Sequence, residues 1–342
     1  MHPKIFEIPF IHLTLGSFGP MMVIGFLAAV TLIRHLSRDI TPNPQLITNA
    51  ALYSLITGVV GARLFYVVHH FDQFQGQGTI SLFAVWKGGL ELLGGVIPAI
   101  VVIFLYLRYH KLPVRQYFDI LAIGLMLALV FGRIGCFLNG CCFGKPANLP
   151  WAVRFPYASF AYRSQVEPDT RRNRPQPYVD LPEDFFTYGY SGDAAVRILQ
   201  SYEKLTSRQK EMLKETDRQR SLAVHPTQLY ESAGGAVLCV VLYLLWRRVR
   251  NARQERQPQA QRGDGPAAGK ILTRPGCIFS LMFVLYGILR FFIELLRDDN
   301  PFEFDGLTIS QIISIGLILT GAILMAIFQK VKQGGPPNKF RG

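Results

Sequence analysis

The sequence predicts an all-α polytopic membrane protein with about seven transmembrane helices, an outside N-terminus, an inside C-terminus and an extracytoplasmic insertion. Half of the 342 residues are apolar, and several uncharged runs have the length of about 20 residues that crosses the hydrocarbon core of a bilayer. The net charge is +13, and the lysines and arginines concentrate in alternate loops, as in the cytoplasmic loops of membrane proteins. The basic composition therefore does not indicate a nucleic acid as partner.

Hydropathy places seven candidate spans along the chain. They cover roughly residues 16–34, 48–69, 85–108, 117–138, 226–247, 276–296 and 308–329. The first run is interpreted as a retained span and not as a signal peptide, because its basic residues follow the apolar stretch. The basic segments after the first, third, fifth and seventh spans share one side of the membrane if the N-terminus is outside. We therefore expect the N-terminus outside and the C-terminus inside.

A long polar segment separates the fourth span from the fifth. The predicted organisation is four spans in residues 1–146, an extracytoplasmic insertion at 147–224, three spans in 225–329 with a basic cytoplasmic linker at about 247–274, and a basic tail at 330–342. Within the insertion, residues 202–220 combine helix-forming residues with alternating charges. The insertion is interpreted as a solvated surface unit, with docking of a protein substrate as the alternative.

Polar side chains collect where the predicted spans reach the outer face. Six segments contribute them: GARLFYVVHH, WKGGLELLGG, GRIGCFLNG, HPTQLYES, RFFIELLRDD and LTISQ. Charges within spans are costly and usually face a bundle interior or a cavity, so each one is a candidate functional residue. Arg290, Glu294 and Arg297 have the i, i+4 and i+7 spacing of one helical stripe. Arg133 and Arg63 add positive charge from two other spans.

This collection of arginines predicts an anion-binding site. One glutamate does not neutralise four guanidinium groups, although Glu91 and Glu231 could contribute. The abundant anion at this depth is a phospholipid phosphate, which arginine binds through paired N–H donors. The alternative is that Arg290 and Arg297 pair with Glu294 or extend to the membrane interface.

Further residues at the same face extend the candidate site. Glycines allow close packing and backbone turns beside a ligand, Asn139 could donate to a phosphate or glycerol oxygen, and Tyr230 with Glu231 could relay a proton. His225 precedes a proline at a helix start, where a histidine is alternatively a capping or packing residue. The full set is Gly132, Gly135, Gly140, Gly144, Asn139, His225, Gln228, Tyr230, Glu231, Ser310 and Gln311.

Three of the five cysteines lie in the stretch GRIGCFLNGCCFGKP, as Cys136, Cys141 and Cys142. Together with His225 they could form a zinc site, but their spacing lacks the C-x2-C hairpin of structural zinc, and adjacent cysteines rarely face one ion. We therefore expect no metal. Packing is the preferred interpretation, and a disulfide from Cys136 to Cys141 or Cys142, or a nucleophilic thiol, are the alternatives.

The six motifs, in this order, resemble the bacterial prolipoprotein diacylglyceryl transferase family. The resemblance covers all seven spans and excludes the insertion and the basic linker. It implies transfer of the diacylglyceryl group of phosphatidylglycerol to the lipobox cysteine thiol of a prolipoprotein signal peptide, with a thioether formed and glycerol phosphate released. It also implies a site on the extracytoplasmic side of the bacterial plasma (inner) membrane, without a metal or organic cofactor.

The same resemblance assigns roles to residues. Arg133 and Arg290 match the two arginines that handle the lipid phosphate, and Asn139, Gly144, Glu294 and Arg297 match other motif positions. The predicted catalytic residues are Arg133, Arg290, Glu294, Tyr230 and Glu231. The predicted substrate-binding residues are Arg133, Arg63, Glu91, Gly135, Asn139, Gly140, Gly144, His225, Gln228, Arg297 and Gln311.

The sequence departs from the family pattern at two motif positions. Leu93 stands where the family commonly has a histidine, and Cys136 stands where it commonly has an asparagine; the first span has SFGPMMVIG in place of an aromatic and histidine cluster. If the family histidine is the base, another group must replace it here, and Glu91, Glu231, Tyr230 and His225 are the candidates.

Two other functions are compatible with the same sequence. One is a non-catalytic relative that binds phospholipid and prolipoprotein, and the other is a transporter. A transporter predicts charges near the bilayer midplane and paired broken helices in the two halves of the chain. The charges here gather toward one face, which favours the transferase.

Overall fold

A computed structural model describes residues 4–8, 13–16, 18–74, 82, 89, 91–191, 194–261, 274–303 and 306–330. Among these residues, six helices are long and apolar enough to cross a membrane. They are α1 (Phe18–Ser37), α2 (Gln45–His69), α5 (Val114–Asn139), α8 (Thr227–Gln261), α9 (Cys277–Leu296) and α10 (Ile309–Lys330). A shorter apolar helix, α4 (Leu92–Tyr109), falls at the predicted third span. The mostly helical, polytopic class is confirmed.

The remaining elements are short. Helix α3 (Phe71–Phe74) follows α2, and the insertion contains α6 (Phe160–Val166) and α7 (Ser207–Glu215), the latter within the charged segment expected to be helical. Two antiparallel hairpins were not predicted. One pairs β1 (Lys4–Ile8) with β2 (Leu13–Gly16), and the other pairs β3 (Phe186–Ser191) with β4 (Ala194–Leu199).

Two boundaries differ clearly from the hydropathy prediction. Helix α8 continues past residue 247 to Gln261, through the first half of the predicted basic linker. Arginine, glutamine, glutamate and alanine in this stretch are strong helix formers, so the helix outlasts its apolar part. Helix α4 begins at Leu92, and most of the predicted start of that span, residues 85–88 and 90, lies outside the described residues. The second half of the linker, from 262 to 273, and the tail from 331 lie outside them too.

Helix α5 lies at the centre of the helical packing. It contacts α1, α8 and α9, while α2 packs on α4 and α10 packs on α9. The core around α5 is mainly apolar, with Ile120, Ile123, Leu242 and Ile278 almost completely buried. Large apolar side chains on the outer faces of the other helices, such as Val60 and Ile323, are exposed in the protein and suit contact with lipid tails. This arrangement places the C-terminal end of α5 beside the start of α8.

A buried carboxylate connects α5 to the start of α9. Asp119 on α5 accepts hydrogen bonds from the backbone N–H groups of Gly276 (2.9 Å), Ile278 (3.0 Å) and Phe279 (3.1 Å). The first N–H groups of a helix have no partner within the helix, and they carry the positive end of its dipole. Asp119 therefore caps a neighbouring helix through tertiary contact.

Replacing Asp119 by alanine is expected to lower the stability of the folded protein by about 2 kcal/mol, because buried N–H groups lose a charged acceptor. The midpoint of thermal unfolding in detergent measures this loss. The matched control is Asp39→Ala, which removes a part-exposed ion pair with Arg250 (2.9 Å) and is expected to cost less than about 1 kcal/mol. Equal stability of both variants would contradict the capping role of Asp119.

The insertion has a hydrophobic core of its own. Tyr162, Phe185 and Leu213 are completely buried in it, and burial raises the pKa of the Tyr162 hydroxyl above its usual value. The two ends of the insertion meet at a pair of backbone hydrogen bonds. The Val153 N–H donates to the Val224 carbonyl (3.0 Å), and the Val224 N–H donates to the Val153 carbonyl (3.0 Å). The insertion is therefore a compact unit held at its base between α5 and α8.

Candidate active site

Three chain segments join by backbone hydrogen bonds directly after α5, before α8 and after α9. Gly144 donates to the His225 carbonyl (3.0 Å), His225 donates to the Lys145 carbonyl (3.1 Å), and Lys145 donates to the Leu296 carbonyl (2.8 Å). Asp298 donates to the Phe143 carbonyl (3.2 Å). These bonds fix the ends of three spans that carry candidate site residues.

Gly144 is required by this junction for steric reasons. A Cβ atom at this position would lie 2.6 Å from the Cβ atom of His225, 2.7 Å from its carbonyl oxygen and 2.9 Å from the carbonyl oxygen of Leu296. Two of these three neighbours are backbone atoms, so the segments would have to separate. The predicted site residue Gly144 thus allows the three segments to approach.

We expect Gly144→Ala to lower the transfer activity that the resemblance implies by at least about 10-fold and to destabilise the protein by about 1–3 kcal/mol through overpacking. Gly316→Ala is the matched control, because a Cβ atom there meets nothing within 4 Å and alanine favours the helix. Activity and thermal unfolding are measured on both purified variants. Native behaviour of Gly144→Ala would show that the junction tolerates a wider spacing.

Glu231 joins two arginines from different helices. Its Oε1 atom lies 2.9 Å from the Nη2 atom of Arg133 on α5, and its Oε2 atom lies 3.4 Å from the Nη1 atom of Arg290 on α9. The hydroxyl of Tyr286 donates to Oε1 as well (3.2 Å). Glu231 is almost completely buried, so these contacts replace its hydration. One carboxylate therefore holds the side chains of three helices together.

Glu294 organises the opposite side of the same cluster. Its Oε2 atom lies 2.8 Å from Arg290 and 3.6 Å from Arg297, while its Oε1 atom accepts hydrogen bonds from Asn300 (2.5 Å) and Thr308 (3.0 Å). Arg290 also donates to the Ser310 hydroxyl (3.0 Å). Arg290 and Glu294 lie on α9 as predicted, whereas Arg297 lies just after its end in extended backbone; the group is tied to the start of α10.

Arg297 pairs mainly with its own loop. Its Nη2 and Nε atoms donate to the two carboxylate oxygens of Asp299 (2.5 and 2.7 Å). The hydrogen bond and the charge of Asp299 raise the pKa of the Arg297 guanidinium above its usual value, although burial alone would lower it. We call Arg133, Arg290, Arg297, Glu231, Glu294 and Asp299 the arginine site.

The charges of the arginine site balance, which the sequence argument did not anticipate. Three guanidinium groups face three carboxylates, because Glu231, named as a possible contributor, and Asp299, which was not named, supply the further countercharges. An anion is therefore not needed to neutralise the site. Each guanidinium has five N–H donors, however, and an ion pair with one carboxylate uses only part of them.

Four contributors to the arginine site were missed by sequence reasoning, namely Asp299, Tyr286, Asn300 and Thr308. Tyr286 lies four residues before Arg290, so the i, i+4, i+8 spacing of 286, 290 and 294 could have placed it on the same helical face. Asn300 and Thr308 come from the loop between α9 and α10, and no sequence period predicts their contacts with Glu294.

The start of α8 is anchored to the loop after α5. The Thr227 hydroxyl donates to the Cys142 carbonyl (2.7 Å), and the Gln228 Nε2 atom donates to the Cys141 carbonyl (2.6 Å). Gln228 is completely buried, and its Oε1 atom has no hydrogen-bond partner among the residues that the structure describes. That buried acceptor is therefore unpaired within the described part of the chain.

His225 and Tyr230 form a half-buried polar group beside this anchor. The His225 Nδ1 atom lies 3.4 Å from the Tyr230 hydroxyl oxygen, which accepts a hydrogen bond from the Trp151 indole (2.7 Å). Trp151 belongs to the insertion and is more than half exposed. The insertion thus reaches a predicted site residue, although its own residues were not among the candidates.

A second link joins the insertion to the loop after α9. The buried Arg174 side chain pairs with Asp298 (3.5 Å), next to Arg297, and it also donates to backbone carbonyls of Ser164 and Glu167. Burial raises the pKa of the Asp298 carboxyl, and the positive charge of Arg174 opposes that rise. The insertion therefore supports the loop that carries Arg297 and Asp299.

Arg63 and Glu91 form a separate polar cluster around α2 and the start of α4. Arg63 is buried, donates to the backbone carbonyls of Leu82 (2.8 Å) and Gly89 (3.0 Å), and lies over the ring of Tyr66 at 5.5 Å. Glu91 contacts the Nδ1 atom of His69 (2.8 Å), so it pairs with a histidine and not with an arginine of the arginine site. Nothing is described of the Leu93 side chain.

The other predicted residues mainly shape the backbone. Gly140 ends α5 in a left-handed conformation (φ +77°) and bonds back to the Cys136 carbonyl (3.0 Å). Gly135 lies where a Cβ atom would be 3.1 Å from Met21, which lets α1 approach α5. The Gln311 side chain accepts from the Thr308 N–H (3.0 Å) in a cap at the start of α10.

The three cysteines converge, contrary to the expectation that adjacent cysteines face apart. The Sγ atoms of Cys136, Cys141 and Cys142 all lie within 4.8 Å of one another, and the three are free thiols. Hydrogen bonds from Cys136 and Cys141 lower the pKa of the Cys142 thiol, and the positive charges of Arg297 and Arg133 lower it further. We call these residues the cysteine cluster.

The fold and this site define a multi-pass membrane protein with a polar cluster built from the ends of several spans. A sequence profile described as prolipoprotein diacylglyceryl transferase matches residues 3–327, and the chain belongs to that family. A phosphatidylglycerol–prolipoprotein diacylglyceryl transferase of Clostridium tetani is 26% identical over 333 residues, which are 97% of this chain and all of the relative.

Other relatives carry the same name. A protein of Prochlorococcus marinus is 24% identical over 331 residues, covering 91% of this chain and 87% of the relative. A protein of Synechocystis sp. is 25% identical over 305 residues, covering 89% of this chain and 82% of the relative. The similarity therefore includes the insertion region as well as the spans.

Proposed function

We propose that this protein transfers the diacylglyceryl group of phosphatidylglycerol to the lipobox cysteine of prolipoproteins. The observation that carries the proposal is the contact of Glu231 with both Arg133 and Arg290. The family and the relatives are named for this reaction. The substrates are a phospholipid and the signal peptide of a precursor, so both enter from the membrane. No cofactor enters this proposal.

The chemistry explains why arginine is needed. The sulfur of the precursor attacks a carbon of the diacylglyceryl group, a carbon–sulfur bond forms, and the carbon–oxygen bond to the phosphate breaks. The phosphodiester carries one negative charge, and the departing glycerol phosphate carries a second, which develops in the transition state. Preorganised guanidinium donors in a poorly hydrated site stabilise this developing charge more than the charge of the bound lipid.

Arg133 is the arginine best placed to bind the phosphate. Its described contacts are with Glu231 and Tyr286, whereas Arg290 already contacts Glu231, Glu294 and Ser310. We assign phosphate binding to Arg133 and a supporting role to Arg290. The unpartnered Gln228 Oε1 atom is the acceptor that we assign to a hydroxyl of the lipid glycerol.

The contacts also narrow the choice of proton acceptor. Glu231 is engaged by two arginines and a tyrosine, Glu91 is bonded to His69, and Tyr230 accepts from Trp151. His225 makes one long contact, to Tyr230, and its backbone belongs to the junction beside the cysteine cluster. We therefore assign proton acceptance to His225.

The proposed site faces the extracytoplasmic side of the plasma membrane. The basic segments 34–38, 108–115 and 247–256 lie at the opposite helix ends from the arginine site along the sequence, as the positive-inside rule requires for cytoplasmic loops. A fluorescent protein fused after residue 342 is expected to fluoresce inside the cell, and alkaline phosphatase fused there is expected to be inactive. Active phosphatase at this fusion point would reverse the orientation.

Complementation tests the function in living cells. We expect this protein to restore growth and lipoprotein modification in bacteria depleted of their own diacylglyceryl transferase, whereas Arg133→Ala does not. Membrane abundance of both proteins is measured by immunoblotting. Unmodified precursors in cells that contain the native protein in normal amounts would count against the proposed function.

A further inference from the structure

The cysteine cluster depends on two left-handed backbone positions. Gly140 (φ +77°) ends α5, and Cys142 (φ +60°) turns the loop again immediately afterwards. In an extended chain, consecutive side chains point to opposite sides, whereas this turn directs the sulfurs of both Cys141 and Cys142 toward Cys136. A left-handed conformation is unfavourable for a residue other than glycine, so the surrounding structure must hold Cys142 in it.

The spacing of the three sulfurs suits a thiolate-bound metal ion. Tetrahedral zinc with zinc–sulfur bonds of about 2.3 Å keeps its sulfur ligands about 3.8 Å apart. The sulfurs here are within 4.8 Å, so they reach this geometry by side-chain movements of about 1 Å. No histidine, aspartate, glutamate or fourth cysteine of the described residues places a ligand atom in the same group.

Three protein ligands leave one coordination position for another molecule. Structural zinc sites are normally closed by four protein ligands, whereas catalytic sites have three and bind water or substrate at the fourth position. Hydrogen bonds to the backbone also hold the cluster in place. The Thr227 hydroxyl donates to the Cys142 carbonyl (2.7 Å), and the Gln228 side chain donates to the Cys141 carbonyl (2.6 Å). Supporting hydrogen bonds of this kind orient metal ligands.

Positive charge beside the cluster complements the charge of a bound zinc–thiolate group. Three thiolates and one Zn²⁺ ion sum to a charge of −1, and the guanidinium groups of Arg133 and Arg297 interact electrostatically with Cys142. Arg133 is also the proposed phosphate ligand. A molecule bound at the open position would therefore lie next to the lipid phosphate.

We propose that Cys136, Cys141 and Cys142 bind one Zn²⁺ ion whose open position takes the thiol of the precursor cysteine. This inference rests on the proposed function, because it deepens the account of how the same site activates its thiol substrate. On binding, the thiol loses its proton to His225 and forms a sulfur–zinc bond. The sulfur electron pair then attacks the lipid carbon, the carbon–oxygen bond breaks with its electrons on the phosphate, and the neutral thioether, a weaker ligand, leaves the zinc.

Metal content tests the site without turnover. Purified full-length protein is reduced, freed of metal with a chelator, dialysed against buffered Zn²⁺ and analysed by mass spectrometry of the elements. We expect one zinc per chain in the native protein and in Cys239→Ser, whose cysteine lies outside the cluster. The triple variant Cys136→Ser/Cys141→Ser/Cys142→Ser is expected to bind less than about a tenth of that amount.

Cobalt tests the open position. With Co²⁺ in place of Zn²⁺, the native protein should show thiolate-to-cobalt charge-transfer absorption, and a lipobox peptide with cysteine should shift the cobalt bands whereas the same peptide with serine should not. Stoichiometry far below one in the native protein, or identical spectra with the two peptides, would overturn the proposal, whether or not the triple variant folds. Both readouts are independent of transfer, so an inactive but zinc-binding protein would count against the proposed function alone.

Discussion

Replacing Arg133 by alanine is expected to lower the rate of diacylglyceryl transfer by at least about 100-fold, while the protein remains folded. Arg133 contacts Glu231 and Tyr286, and its remaining donors are the ones that we assign to the lipid phosphate. Without it, the second negative charge of the leaving group develops in a poorly hydrated site with one guanidinium fewer. The loss should fall on kcat as well as on kcat/KM, because the charge grows only in the transition state.

Two comparisons separate this effect from a general loss of charge. Arg133→Lys keeps the charge but not the paired donors, so we expect an intermediate rate. Arg154→Ala removes an exposed arginine of the insertion, which pairs with Asp217, and should leave the rate unchanged. A rate of Arg133→Ala within about 3-fold of the native rate would exclude Arg133 as the phosphate ligand, since one lost donor group normally costs far more.

The second large effect is expected at Glu231. Glu231→Ala leaves the guanidinium groups of Arg133 and Arg290 without the buried carboxylate that they share, and removal of one partner from a buried ion pair typically costs about 3–5 kcal/mol. We expect a marked fall in the midpoint of thermal unfolding together with loss of activity. Glu231→Gln retains an acceptor oxygen of nearly the same shape, so it should keep most of the stability and about a tenth of the activity.

The pair of Glu231 variants also decides what Glu231 does. If Glu231 positions the arginines, the glutamine variant remains measurably active and its pH profile is unchanged. If Glu231 were instead the proton acceptor, glutamine would abolish transfer without affecting stability. The control is Glu183→Ala, which removes an exposed carboxylate paired with Arg197 (3.2 Å) and should behave like the native protein.

Sequence patterns predicted the spans better than the elements between them. Long uncharged runs located α1, α2, α5, α9 and α10 within about three residues, because a bilayer imposes both length and hydrophobicity on a spanning helix. The hairpins carry no comparable constraint, since β3 and β4 are short and belong to the water-exposed insertion. The extension of α8 was missed because hydropathy detects the apolar part of a helix and not its polar continuation.

The sequence predicted several residues of the candidate site, but it did not predict which of them form ion pairs with one another. Arg133, Arg290 and Glu294 were recognised as candidates because a charged residue within an apolar span is costly and therefore rare. Such a residue can be identified from a single sequence. The bridge from Glu231 to both Arg133 and Arg290 depends on how α5, α8 and α9 pack, which no local pattern encodes. For this reason the sequence named Glu231 only as a possible source of countercharge and did not predict its bridge between the two arginines.

The convergence of the three cysteines was not predictable from their spacing in the sequence either. Spacing rules treat Cys141 and Cys142 as neighbours that face apart, which is correct for extended chain. The left-handed conformation of Cys142 reverses the outcome, and a non-glycine residue in that conformation gives no reliable sequence signal. The three sulfurs therefore meet although their spacing resembles no common metal motif.

The most direct test of the central claim is transfer by the purified protein. Native protein in mixed micelles is given phosphatidylglycerol and a lipobox peptide, and mass spectrometry follows the peptide and the released glycerol phosphate. We predict that the peptide gains one diacylglyceryl group through a thioether, with an equal amount of glycerol phosphate, and that a peptide with serine in place of the cysteine gains none. A folded protein that binds phosphatidylglycerol but yields neither product would contradict the account and identify a lipid-binding relative without transferase activity.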